Sequence, residues 1–305
     1  MAAIDSVLLI AFGGPTAPVE IRPFLDNVSR GRHIPAERLE IVAHHYEQMP
    51  GGRSPLNELT FAQARALAAA LARAGRALPV FVGMRNWHPF LHETLGEMAA
   101  AGARRALGII LSPFRVEASW ERYMQDVAQA RARTPDAPEV VFAPAWSKHP
   151  RFIAAVTERA RAALDAVPAE RRQWTPLIFT AHSVPVAMAD GSPYVDDFSE
   201  AAHAVTEALA HPGWMVAYQS RSGSPRDPWL EPDILGVVTS LADDGETDVV
   251  IVPIGFVCDH VEVLYDLDVE ARALARERSL TLHRAAAVND HPEFVAMLAD
   301  LVAIA

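Results

Sequence analysis

The sequence has one cysteine, no long apolar run and few basic residues. A single cysteine, Cys258, in 305 residues excludes an internal disulfide framework and is typical of a reducing compartment. No run approaches the roughly 18 apolar residues of a membrane-spanning helix. No basic stretch with a cleavage site opens the chain, so we predict no signal peptide. These absences predict a cytoplasmic protein without a transmembrane segment.

The charge balance limits the classes of partner. The chain has 38 acidic and 27 basic side chains, a net charge of −11. Such a charge argues against nucleic acid or an anionic membrane surface as a main partner. It suits a cationic ligand such as a metal ion, although many soluble enzymes are equally acidic.

Short apolar strands alternate with helical stretches along the whole chain. We predict strands at residues 6–12, 79–84, 106–111, 140–143, 177–181, 215–219, 249–254 and 280–286. This alternation predicts an α/β fold of two lobes, each a mostly parallel sheet flanked by helices, with the ligand in the cleft between them. We assign residues 1–114 to the first lobe and 115–287 to the second, with a C-terminal helix at 288–305 packing back on the first.

Glycine-rich turns and arginines mark further candidate ligand contacts. Gly13, Gly14 and Pro15 end the first strand, but the G-x-G-x-x-G pattern of a dinucleotide site is absent. Arg30 and Arg32 flank Gly31, and they are either solvated charge or a grip for ligand carboxylates.

Acidic residues follow the strand at 249–254. Asp259, His260, Glu262, Asp266 and Glu270 come after its end, and from Glu262 the acids recur every four residues. A helix there would carry them as one stripe, which is either a solvated face or a path for a cation. His182 follows another apolar strand, at the edge of the sheet where ligands bind. A neutral imidazole oriented by a carboxylate is suited to remove a proton.

Other chemistries fit less well. No G-x-S-x-G elbow presents Ser183 as a nucleophile. Structural zinc needs more soft ligands than one cysteine supplies. Oxygen-rich sets bind divalent metals loosely, which suits transfer of a metal more than its storage.

Seven motifs then carry a family resemblance. They are IAFGGP at 10–15, GGRSP at 51–55, VGMRNWHP at 82–89, FTAHSVP at 179–185, YQSRSG at 218–223, PWL at 228–230 and PIGFVCDHVE at 253–262. With them the chain resembles the ferrochelatases, which insert Fe²⁺ into a porphyrin, over nearly its whole length. The resemblance implies two Rossmann-like lobes of the chelatase type.

The resemblance also implies roles for individual residues. His182 and Glu262 match the catalytic pair, and the set implied for the metal is His182, Glu262, Asp266 and Glu270. Residues expected to contact the porphyrin are Phe12, Arg30, Tyr46, Ser54, Arg85, Tyr123 and Trp229. Phe12 stands where relatives from Gram-positive bacteria often have tyrosine, and a phenyl ring cannot ligate iron. Residues 112–123 replace a loop rich in tyrosine and serine.

The resemblance sets expectations for cofactor and substrate. Trp120 stands at an internal cysteine position of cluster-binding relatives, so we predict no [2Fe-2S] cluster and no other bound cofactor, with Fe²⁺ only as substrate. We expect a monomer whose partners are porphyrin and Fe²⁺. The arginines favour coproporphyrin III, giving coprohaem, over protoporphyrin IX. The alternatives are a non-catalytic porphyrin or haem carrier and a chelatase for another tetrapyrrole or metal.

Overall fold

The computed structural model describes residues 3–31, 36–222 and 227–305. Arg32 and Gly223 of the sequence motifs lie outside these ranges. Contacts divide the chain into two compact units. Unit 1 comprises Met1–Leu111, Ala118–Pro144 and Val295–Ala305, and unit 2 comprises Ser112–Glu117 and Ala145–Phe294. The lobe boundary after residue 114 stays a prediction.

Unit 1 is built on a four-stranded parallel sheet. Its strands are β1 (Ser6–Ala11), β2 (Val80–Met84), β3 (Arg105–Ile110) and β4 (Glu139–Phe142), in the order β2-β1-β3-β4. Its helices are α1 (Ile21–Ser29), α2 (Ala36–Glu47), α3 (Leu56–Arg73), α4 (Leu91–Ala100) and α5 (Glu121–Arg133). Every residue of β1 is buried, as expected for a central strand with both faces covered. One core cluster packs α4 and α5 against β1 and β3.

Unit 2 repeats the same sheet order. Its strands are β5 (Leu177–His182), β6 (Trp214–Gln219), β7 (Asp248–Val252) and β8 (Thr281–Arg284), all parallel and ordered β6-β5-β7-β8. The helices are α6 (Pro150–Asp165), α7 (Ala169–Arg172), α8 (Val186–Ala189), α9 (Tyr194–Leu209), α10 (Ile234–Asp243), α11 (Val261–Val263) and α12 (Arg272–Glu277). A π-helical segment, Leu264–Ala271, joins α11 to α12. The last helix, α13 (Pro292–Ala303), belongs to unit 1 from Val295 onward.

The strand order determines where each sheet can bind a ligand. In both sheets the first strand lies between the second and the third, so the strand order reverses beside it. Ligands in open α/β sheets bind at such a reversal, beyond the carboxyl ends of the strands. The predicted fold class is confirmed, and in unit 2 this reversal lies at the carboxyl ends of β5 and β7. Within the described ranges, no helix has the length and apolar character needed to cross a membrane.

Candidate active site

His182 is the last residue of β5, beside the carboxyl end of β7. Its Nδ1 contacts the backbone carbonyl oxygen of Ser183 at short range. A carbonyl can only accept, so Nδ1 carries a proton, and in the neutral imidazole the lone pair is then on Nε2. The Tyr194 hydroxyl donates to the carbonyl oxygen of His182 at 2.8 Å, which helps to fix the end of the strand. The imidazole is therefore held in the tautomer that accepts a proton at Nε2.

The free nitrogen of His182 faces a carboxylate. Nε2 lies 3.8 Å from Oε1 of Glu262, with 30% and 39% of the two side chains exposed. The carboxylate stabilises a neutral imidazole little, but it attracts an imidazolium by about 1 kcal/mol at this distance in a water-like dielectric. The pair is thus arranged to favour the state that follows proton uptake.

The turn that carries Glu262 is held by polar contacts. The Glu262 backbone N–H donates to Nδ1 of His260 at 3.2 Å, and Gln219 Nε2 donates to the Glu262 carbonyl oxygen at 2.8 Å. Burial lowers the pKa of His260, while the carboxylates of Glu262 and Asp259 oppose this shift. His260 therefore acts as a neutral cap for α11.

The helix that carries the acidic stripe is π-helical over residues 264–271, with Glu262 in the short helix α11 before it. Hydrogen bonds from i to i+5 widen each turn, and residues four apart still lie nearly above one another. Glu262, Asp266 and Glu270 consequently remain neighbours. The charges of Glu262 and Glu270 both raise the pKa of the Asp266 carboxyl.

The carboxyl of Asp266 has a strongly raised pKa. Burial is the main cause that raises its pKa, to about 7, and the neighbouring acids add to the shift. Hydrogen bonds from Ser220 Oγ and Gln219 Nε2 to Oδ2 act in the opposite direction. Near neutral pH this side chain exchanges a proton readily, whereas Glu270 is exposed to solvent.

Two neighbouring acids have a structural role instead. Arg284 at the end of β8 donates from Nε to both oxygens of Asp268 at 2.9 Å and from Nη1 to Asp259 at 2.7 Å. Arg272 also donates to Asp268, at 2.9 Å. One guanidinium thus ties the segment that carries the acids to β8 at both of its ends.

Among the porphyrin candidates in unit 1, Phe12 and Tyr46 share a neighbour. Both rings pack edge-on against Phe24, with centroids 6.4 and 5.7 Å away. Phe12 remains 38% exposed just beyond β1, while Tyr46 is buried. Phe12 is a large apolar side chain open at the ligand-binding edge of its sheet.

The other candidates of unit 1 form two groups. Ser54 is buried, and its N–H donates to Pro15 O at 2.8 Å. Gly14 is required beside it, because a Cβ there would lie 2.8 Å from the Ser54 Cβ. The Arg85 guanidinium pairs with Asp126 and lies 5.2 Å from the centre of the Tyr123 ring. Arg30 and Arg85 line one cavity.

In unit 2, Trp229 bridges antiparallel to Pro185, three residues after His182. The Arg221 guanidinium lies 5.9 Å from the Trp229 ring centre. Within the part of the chain that the structure describes, the buried Nε1 of Trp229 has no hydrogen-bond partner.

Among the described residues, no three histidine, cysteine or carboxylate side chains are grouped so as to hold a metal ion. The metal ligands inferred from the sequence stay a prediction.

The sequence reading missed several supporting residues, namely Tyr194, Gln219, Ser220 and the capping role of His260. Gln219 and Ser220 fall in the YQSRSG motif, at the end of the strand next to β5. That position was a usable signal, because side chains at neighbouring carboxyl ends meet at one edge.

Comparisons with known proteins show the family to which this chain belongs. A family model described as ferrochelatase matches residues 5–305. A ferrochelatase of Rhodopirellula baltica is 42% identical over 98% of this chain and 85% of its own length. A coproporphyrin III ferrochelatase of Mycobacteroides abscessus is 43% identical over 98% of this chain and 87% of its own.

Solved structures support the fold. SirB from Bacillus subtilis with Fe³⁺ superposes with a TM-score of 0.58 at 11% identity, over 98% of this chain and 94% of its own. DR2241 from Deinococcus radiodurans, described as structurally similar to chelatases, superposes with a TM-score of 0.55 at 15% identity, over 98% of this chain and 55% of its own. At such identities these likenesses show the fold alone. The family model and the relatives confirm the resemblance found in the sequence, and the chain belongs to the ferrochelatase family, whose members insert iron into a porphyrin.

Proposed function

We propose that this ferrochelatase acts on coproporphyrin III and uses His182 as the acceptor of the pyrrole protons. The observation that carries the proposal is the placement of the His182 ring, with Nδ1 against the carbonyl oxygen of Ser183 and Nε2 facing Glu262 at 3.8 Å. Insertion of Fe²⁺ displaces two N–H protons, so the enzyme needs a base that is neutral before the reaction.

The path of the proton follows from this geometry. Nε2 of His182 takes it from a pyrrole nitrogen, and the Glu262 carboxylate stabilises the imidazolium that forms. Asp266 and then exposed Glu270 continue from Glu262 toward solvent, and the pKa of Asp266, raised to about 7 by burial, suits proton exchange there. The same carboxylates attract Fe²⁺, an ion that accepts oxygen ligands.

Two observations favour coproporphyrin III as the porphyrin. The relative from Mycobacteroides abscessus carries that substrate in its name, at 43% identity. Arg30 and Arg85 both line a cavity of unit 1, and guanidinium groups match the carboxylates of a porphyrin with four propionates.

We further propose a cytoplasmic monomer that has no resident cofactor and binds no nucleic acid. One cysteine cannot hold a [2Fe-2S] cluster, and a net charge of −11 opposes phosphate backbones. Size-exclusion chromatography with light scattering tests the monomer, and a dimer mass would contradict it.

The substrate is tested by measuring Fe²⁺ insertion into coproporphyrin III and into protoporphyrin IX in one steady-state assay. We expect a higher kcat/KM for coproporphyrin III. An equal or higher value for protoporphyrin IX would reject the substrate assignment, and binding of both porphyrins without turnover would show a carrier.

A further inference from the structure

An open cavity in unit 1 shares no lining residue with the site around His182 and Glu262. Its wall consists of the end of α1, the turn after β2, the start of α4 and one face of α5. It includes Arg30 and Arg85, expected from the sequence to contact porphyrin, and also Asn86 and Arg133, for which no role was expected.

The charge in this cavity is opposite to that of the chain. Three guanidiniums, Arg30, Arg85 and Arg133, line it with a single carboxylate, Asp126, in a chain of net charge −11. Asp126 is already paired with Arg85. Within residues 3–31, 36–222 and 227–305, neither Arg30 nor Arg133 has an ion-pair partner. Like charges gathered in a concave site focus a positive potential, which an anion would relieve.

An unused hydrogen-bond donor lies in the same wall. The Nδ2 atom of Asn86 is buried and has no partner in the described part of the chain. The residue itself is fixed, because its N–H donates to Phe12 O at 2.9 Å and its carbonyl oxygen accepts from Asn27 Nδ2 at 2.8 Å. A buried donor without an acceptor is costly, so an oxygen ligand would satisfy it. The first turn of α4 also lines the cavity and adds the positive end of a helix dipole.

We propose that this cavity is an oxyanion-binding site, in which Arg30, Arg133 and the Asn86 amide hold a carboxylate or phosphate group while Arg85 is kept in place by Asp126. The anion comes either from a free small oxyanion or from a carboxylate arm of the porphyrin. Only the second source rests on the proposed function.

The test compares the full-length wild type with Arg133→Gln and with Arg73→Gln, which removes the same charge from an exposed position of α3 in unit 1. Isothermal titration with inorganic phosphate examines the free oxyanion. Fluorescence titrations with coproporphyrin III and with its tetramethyl ester examine the porphyrin arm. Loss of one charge-assisted hydrogen bond should weaken binding by about 10-fold or more.

Each outcome decides the proposal. Saturable phosphate binding that Arg133→Gln weakens, and Arg73→Gln does not, supports a site for a free oxyanion. Weaker binding of coproporphyrin III to Arg133→Gln, with the ester unaffected, supports the porphyrin arm. If Arg133→Gln equals wild type with every probe, or if both variants respond alike, the cavity is not an oxyanion site. Arg133→Glu, a reversal of charge, must exceed the effect of Arg133→Gln for either supporting result to stand.

Discussion

The raised pKa of Asp266 predicts that Asp266→Asn stabilises the protein as pH rises. The wild-type carboxyl titrates near 7 in the folded chain because burial disfavours its charge, against a usual 3.8. Between these values the unfolded chain loses its proton first, so the folded wild type loses stability as pH increases through this window. Asparagine keeps an oxygen that can accept from Ser220 but carries no charge to bury.

The magnitude follows from the same shift. About 3 units at 1.36 kcal/mol each set an upper limit of about 4 kcal/mol, and since Asp266 is partly open to water we expect about 1–3 kcal/mol. Urea unfolding at about pH 5 and about pH 8 should show the advantage of the variant growing by about 1–2 kcal/mol.

The control is Glu270→Gln, which neutralises an exposed acid of the same stripe and should show a much smaller pH-dependent gain. If the difference in unfolding free energy between wild type and Asp266→Asn is the same at both pH values, burial does not raise the pKa of Asp266 and this reasoning is refuted.

Three further predictions concern unit 2. Asp266→Ala with Glu270→Ala should raise the KM for Fe²⁺ and leave the KM for porphyrin unchanged, and unchanged values for both would leave the stripe a solvated face. Asp248→Ala should cost about 3–5 kcal/mol in urea unfolding, because this buried acid pairs with Arg171 and His283, and a loss below about 1 kcal/mol would refute that pairing. Gly255→Ala should lower both stability and turnover, since its Cβ would lie 2.6 Å from the Ala181 backbone, and wild-type behaviour would contradict this packing.

The fold was predictable because its buried strands are apolar on both faces and alternate with helices. Helix α2 gave no comparable signal. Only Ala43 and Tyr46 of its residues are buried, and Ile41 is 44% exposed, so its apolar residues do not mark one face.

The candidate site was predictable in its position but not in its detail. His182 and Glu262 follow strands that lie side by side in one sheet, which a sequence pattern can reveal. The π-helix was not predictable, because acids spaced by four residues form a stripe in either kind of helix. Nor does sequence show that Arg284 pairs with Asp259 and Asp268, since these contacts depend on how β8 lies against β7.

The central claim is that His182 accepts the pyrrole protons, and single-turnover Fe²⁺ insertion by His182→Ala tests it most directly. His203→Ala is the matched control, because His203 also faces a carboxylate, Glu207, at 3.7 Å but on an exposed helix face. We predict that His182→Ala binds porphyrin with nearly wild-type affinity, inserts iron at least ~100-fold more slowly, and is partly rescued by added imidazole, while His203→Ala is unaffected. A near-wild-type insertion rate in His182→Ala would contradict the account.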